Sequence, residues 1–156
     1  MSFTISPAPP HSDAVRALVH CALDELTVRY GEHGDDASVT WDELIPPTGV
    51  FLVARHHGEL AGGVAVRTIS DPTHGSGEIK RLWVRPDLRG RGLARQLMRA
   101  AEEWAREHHF VELYLETGER QPEAIALYHA LAYEAVTAFP EGVPNYPEGF
   151  KFYKSL

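Results

Sequence analysis

Residues 78–105 read EIKRLWVRPDLRGRGLARQLMRAAEEWA. The first seven residues, Glu78 to Val84, have the composition of a β-strand. Pro86 stops it, because proline cannot donate to a sheet ladder and pushes Arg85 towards an extended shape. Leu88-Arg89-Gly90-Arg91-Gly92 is a tight turn. From Leu93 the apolar positions are Leu93, Leu97, Ala100, Ala101 and Trp104, which is helical spacing. The unit is therefore a strand, a glycine-containing turn and a long amphipathic helix.

The charges on this helix run against its dipole. Arg89, Arg91 and Arg95 crowd its start and no acid stands in its first turn. Glu102, Glu103 and Glu107 stand near its end, diluted by Arg106. A helix prefers anions at its start and cations at its end. The arrangement suits a chain that receives an anion at the helix start. There, free N–H groups, glycines and arginines make a phosphate site. The plainer alternative is a solvated helix whose glycines only shape the turn.

The turn carries neither of two common nucleotide signatures. There is no G-x-x-x-x-G-K-[ST], and Arg95 stands where G-x-G-x-x-G needs its third glycine. What it carries is Arg89-x-x-Gly92-x-Ala94 between a strand and a helix. With that context the chain resembles the GNAT superfamily of acetyl-CoA-dependent N-acetyltransferases, whose signature is [Gln/Arg]-x-x-Gly-x-[Gly/Ala]. The resemblance covers most of residues 50–133. It implies an α/β fold in which helices flank a mixed, mostly antiparallel twisted sheet with a bulged, splayed central strand.

The alternation in that strand fits such a bulge. Ile79 is odd while Leu82 and Val84 are even, and one extra residue between them would return all three to one face. In the resembled family the bulge admits the pantetheine arm of the cofactor. The resemblance therefore implies acetyl-CoA as co-substrate. Leu82, Trp83 and Val84 would border its arm, and the turn from Arg89 through Gly90, Arg91, Gly92, Leu93 and Ala94 to Arg95 would hold its pyrophosphate. The resembled family also often has an asparagine before the next helix that bonds the pantetheine; Gln121 stands there, one methylene longer. The Gly-Phe pair that usually follows is Ala132-Tyr133 here.

The rest of the chain supplies the other elements. Phe3 to Ser6 reads as a short strand closed by Pro7, Pro9 and Pro10. Ser12 is a helix N-cap and Val15, Leu18, Val19, Ala22 and Leu26 are a stripe that ends at Gly31. Trp41 to Ile45 reads as a short helix. Val50 to Arg55 and Leu60 to Thr68 form a hairpin, with Gly62-Gly63 marking a bulge or close backbone approach. Phe110 to Glu116 is a strand with Val111, Leu113 and Leu115 on one face. A helix opens at Pro122 and runs to about Ala132. Tyr133 to Phe139 and Phe150 to Tyr153 are closing strands around a proline-rich loop.

Acetyl transfer to an amine needs a base, an oxyanion donor and an acid for the departing thiolate. The resemblance places the acid at Tyr128, in Ala124-Ile125-Ala126-Leu127-Tyr128; the plainer reading is a core tyrosine, and His129 is the second choice. It places the base at Glu78, which matches the catalytic glutamate of histone acetyltransferases in this superfamily; a solvated strand-end glutamate or an ordered water are the alternatives. The late loop around Asn145 and Tyr146 and the segment from Tyr30 to Trp41, with Glu32, Asp35 and Asp36, would line the acceptor side.

Composition bounds the setting. The 156 residues form one expected domain. A net charge of -7 disfavours nucleic acid and mildly favours a cationic substrate. Arg89-Gly90-Arg91-Gly92 is too short to argue RNA binding. No apolar run is long enough to span a membrane. One cysteine, Cys21, precludes an internal disulfide, fits a reducing, cytoplasmic setting, and reads as buried filler. The nine histidines show no metal-ligand spacing. The expected activity is transfer of acetyl from acetyl-CoA to a primary amine of a small molecule or peptide. The alternative is a non-catalytic acyl-CoA-binding module. A homodimer is compatible with either.

Overall fold

A computed structural model describes residues 2–31, 40–118, 120–144 and 149–156. The strands are β1 (Thr4–Ala8), β2 (Gly49–His56), β3 (Glu59–Thr68), β4 (Ser76–Val84), β5 (Glu112–Thr117), β6 (Glu134–Val136) and β7 (Phe150–Ser155). They form one sheet in the order β1-β2-β3-β4-β5-β7-β6. The β4–β5 pair is parallel and the other pairs are antiparallel. Among the described residues three α-helices accompany the sheet: α1 (Asp13–Tyr30), α2 (Leu93–Glu107) and α3 (Pro122–Ala130).

Helices α2 and α3 cover one face of the sheet. Leu93, Leu97, Met98, Ala101 and Trp104 of α2 and Tyr128 of α3 enter a core with Ile79, Val84, Leu113, Leu115 and Phe152. Helix α1 covers the other face, where Val15 and Leu18 meet Phe51, Val53 and Ala65. The α1 boundaries follow local chemistry. The Ser12 hydroxyl accepts from the Val15 N–H, and Gly31 closes the helix at a left-handed φ of 84° while its N–H donates to the Thr27 carbonyl.

The central strand is bulged where its alternation slips. Gly63 stands opposite Trp83 and Ala65 opposite Lys80, so two residues of β4, Arg81 and Leu82, face Val64 alone. Arg81 takes a positive φ of 60°. The extra residue returns Ile79, Leu82 and Val84 to the core beneath α2. Gly62 and Gly63 make the expected close approach. A Cβ on Gly63 would stand 2.7 Å from the Phe51 ring, and one on Gly62 would meet the Trp83 carbonyl.

Several boundaries differ from the sequence reading. β1 continues through Pro7, opposite Leu52, because an edge strand has no outer ladder for proline to break. The short helix after residue 40 is a 3-10 turn, Trp41–Leu44, opened by a capping box between Thr40 and Glu43. β5 begins at Glu112, which leaves Val111 exposed instead of beside Leu113 and Leu115. Helix α3 ends at Ala130, and the strand expected from Tyr133 to Phe139 is only Glu134–Val136. Cys21 is exposed and is not core filler, because it lies off the Val15, Leu18, Ala22 stripe.

Candidate active site

The site grows from the parting of two strands. β4 and β5 stand opposite each other from Ser76–Glu112 to Ile79–Leu115. Beyond Ile79, β4 bulges and runs on to Val84, while β5 runs on to Thr117. The two strands thus open a fork. One prong leads into the turn before α2, and the other into the turn before α3.

The α2 turn is built to expose N–H groups. Leu88 is buried and pins it to the core. Gly90 and Gly92 have φ of 76° and 82°, left-handed values that glycine adopts without steric cost. A Cβ on either would meet nothing within 4 Å, so conformation and not crowding demands glycine here, and the ground above the turn is open. Gly92 is the N-cap and supplies no side-chain cap, and α2 has no acid in its first turn. The N–H groups at the start of α2 have no partner further back in the helix. Leu93 is buried, Ala94 partly so, and Arg91 and Arg95 are exposed.

The Arg89 guanidinium turns elsewhere. Its Nε donates to the Val84 carbonyl at 2.8 Å and its Nη2 to Glu25 Oε1 at 2.6 Å. On β4, Leu82 is half-buried against the α2 core, and Trp83 lies towards α1 with its indole N–H buried and without a hydrogen-bond partner.

On the other prong, Gln121 is the N-cap of α3. Its N–H donates to the Gly118 carbonyl, and its own carbonyl accepts from Ala124 and Ile125. Tyr128 is 6% exposed, with Tyr133 and Phe152 ring centroids at 6.1 and 5.7 Å. Burial pushes its phenol well above the ordinary tyrosine value, so the hydroxyl keeps its proton. His129, next along, lies edge-on to Phe152 instead.

Glu78 does not begin its strand. It is the third residue of β4 and 2% exposed. Arg67 of β3 stands directly opposite and donates Nε and Nη2 to Glu78 Oε1 at 2.9 and 2.8 Å. Arg67 Nη1 also reaches Glu43 Oε2 at 3.5 Å. The row continues across the sheet: Tyr114 is the partner of Glu78 on β5, and Tyr153 that of Tyr114 on β7, with rings 5.1 Å apart. Phe139 closes on Tyr114 at 5.6 Å, beside Ile69 and Val143. Burial, then the Glu112 charge, raises the Tyr114 phenol. This row lies one residue before the fork. A cavity of about 290 Å³ lined by Thr40, Asp42, Glu43, Thr48 and Thr68 adjoins it through Glu43.

Glu32, Asp35, Asp36, Asn145 and Tyr146 lie outside the described residues. Among the described residues, no group of three His, Cys, Asp or Glu side chains could hold a metal, and no helix is long and apolar enough to cross a membrane. Sequence reasoning missed Arg67, Tyr114 and Glu43. Arg67 had one signal: a lone cation at the end of the apolar run Val64-Ala65-Val66.

The family model "Acetyltransferase (GNAT) family" matches residues 15–133. The uncharacterized N-acetyltransferase YjgM of Escherichia coli is 36% identical over 122 residues, covering 73% of this chain and 73% of that protein. A Klebsiella pneumoniae chain assigned as an acyl-CoA N-acyltransferase superposes with a TM-score of 0.79 at 32% identity, covering 99% of this chain and 97% of that one. The PaiA N-acetyltransferase of Thermoplasma acidophilum, solved with coenzyme A, shares the fold at a TM-score of 0.74 and 16% identity, each chain covered in full (100%). A family model that covers residues 15–133, and relatives that share about a third of their residues, show that the chain belongs to the GNAT family, the acetyl-CoA-dependent acyltransferases.

Proposed function

We propose that this enzyme moves acetyl from acetyl-CoA to a primary amine, carried by a small molecule or a peptide, by direct attack in a ternary complex. The observation that carries this reading is the fork: β4 and β5 part after Ile79 and Leu115, next to the uncapped start of α2. The pyrophosphate would lie on the N–H groups of residues 90–95, with Arg91 and Arg95 adding charge. The pantetheine arm would enter the fork past Leu82, Trp83 and Val84, with Gln121 on the far side.

In the reaction the amine nitrogen attacks the thioester carbonyl carbon and the C–S bond breaks. The carbonyl oxygen gathers charge and needs donors; a β4 N–H released by the bulge meets that need. The departing thiolate takes the Tyr128 proton, which burial holds in place through neutral pH. The attacking nitrogen sheds a proton to Glu78 through a water, since Glu78 itself is bound by Arg67. Asp42 and Glu43 would draw a cationic amine towards the acceptor side. The free thiol of Cys21 suits a reducing, cytoplasmic setting.

The test is thiol release from acetyl-CoA in the presence of a panel of primary amines. Amine-dependent release by the wild type, with mass-shifted acetylated product, supports the proposal. Tight acetyl-CoA binding without release for any amine would instead mark a non-catalytic acyl-CoA-binding module.

A further inference from the structure

Helix α1 ends across the mouth of the fork. On the β4 side, Glu25 holds the Arg89 guanidinium at 2.6 Å. One turn later Arg29 pairs with Glu123 of α3 and donates Nη1 to the Arg120 carbonyl at 2.8 Å. Arg120 returns the bond, donating Nη1 to the Arg29 carbonyl at 2.8 Å. Its N–H donates to the Tyr30 hydroxyl at 3.0 Å, and its guanidinium lies over the Tyr30 ring. Glu25 and Arg29 are themselves 4.0 Å apart. The charges therefore alternate along one line, Arg89–Glu25–Arg29–Glu123, from the α2 turn to the α3 turn.

We propose that this line is a strap, with Glu25 and Arg29 as positioning residues that fix the spacing of the two lips between which acyl-CoA binds. The inference rests on the reading of the fork as the acyl-CoA cleft. Beyond Ile79 and Leu115 the two prongs no longer stand opposite each other, so no β4–β5 ladder ties them there; each is held only by its other neighbour, β3 or β7. Arg89 then serves through its side chain as an anchor for the strap, while its turn offers the phosphates backbone N–H groups. The hydrogen bond from Glu123 raises Arg29 above the ordinary arginine value. Burial opposes ionisation of Glu123, but the bond from Arg29 leaves it below the ordinary carboxylate value. Both members thus stay charged at neutral pH. The side chains are partly exposed, from 23% for Arg29 to 59% for Glu123. Exposed pairs contribute little to global stability. A role in spacing the lips is therefore read in ligand affinity and not in the melting temperature.

The test compares acetyl-CoA with its adenosine 3′-phosphate 5′-diphosphate fragment, which reaches only the α2 lip. Both are titrated into the wild type, Glu25→Gln, Glu123→Gln and the double variant. Each single variant should lose about fivefold in acetyl-CoA affinity, and the double no more than the worse single, because the links act in series. Fragment affinity should stay within about twofold and thermal stability should hold. Losses that multiply in the double variant, equal losses for the fragment, or unchanged acetyl-CoA affinity overturn the strap. A wild type that fails to bind acetyl-CoA overturns the strap and the cleft together; binding that the variants leave intact overturns the strap alone.

Discussion

Ile79 and Leu115 are the last residues at which β4 and β5 stand opposite each other, and one residue earlier Glu78 lies beside Tyr114. The end of pairing thus coincides with a row of polar and aromatic side chains that crosses the sheet from Arg67 to Tyr153. One face of the fork would receive the acyl donor and the other this row. The chemistry is expected at their meeting point.

Tyr128→Phe removes one hydroxyl and keeps the ring that packs against Tyr133 and Phe152. Turnover should fall about tenfold or more, with acetyl-CoA affinity and melting temperature unchanged. Steady-state thiol release and calorimetry check this together. Wild-type turnover in the variant would remove Tyr128 as the acid.

Arg67→Met would strand the Glu78 carboxylate, which is 2% exposed, without its guanidinium. Removing one partner of a buried pair costs about 3–5 kcal/mol, measurable by urea unfolding. Glu78→Gln separates base from scaffold. As a base, Glu78 is expected to lower kcat on substitution while leaving the KM for acetyl-CoA alone. Lost stability with normal kcat would leave it only a structural part.

Lys154 Nζ donates to Glu102 Oε1 and to the Leu131 carbonyl, both at 2.9 Å, joining β7 to α2 and to the end of α3. The Tyr133 hydroxyl donates to Glu102 Oε2 at 3.0 Å. Lys154→Met leaves a buried carboxylate short of a donor, at a cost of about 1–3 kcal/mol. The effect should appear in thermal unfolding and not in acetyl-CoA affinity.

Burial raises the phenols of Tyr128 and Tyr133 in the folded chain, and Glu102 raises Tyr133 further. Unfolded phenols ionise near pH 10, roughly the free tyrosine value. Below that, both states hold these protons and the phenols add no pH dependence. Above it the unfolded chain binds fewer protons than the folded one, so stability falls as pH rises towards the higher folded values. Denaturant midpoints should therefore drop on the alkaline side of about pH 10. Turnover should show no loss from Tyr128 ionisation below that point. An alkaline fall in kcat near neutrality would contradict Tyr128 as the donor.

The bulge and the α2 turn were legible because their features are local in sequence. A strand, a turn and a helix are coded within residues 78–105, and the slipped alternation of Ile79, Leu82 and Val84 marks the bulge within a few positions. What was not legible joins distant segments. Glu102 reads as an acid on the wrong end of its helix, yet it is buried and held by Tyr133 and Lys154. Arg89 reads as a phosphate cation, yet its guanidinium meets Glu25, 64 positions away in the chain. Glu78 reads as a strand end because Ser76 and Gly77 carry no strand propensity; pairing with Glu112 and Leu113 extends the strand over them. Tertiary contact decided each of these, and periodicity does not encode it.

Whether the fork and the α2 turn hold acyl-CoA is tested by calorimetric titration of acetyl-CoA into the wild type and Gly92→Val. A Cβ at Gly92 meets nothing within 4 Å, but valine at a φ of 82° strains the turn by about 1–2 kcal/mol. The wild type should bind at micromolar affinity, and the variant should stay folded and lose that binding. Absence of binding by the wild type, or binding that valine leaves intact, would contradict acyl-CoA binding at that site.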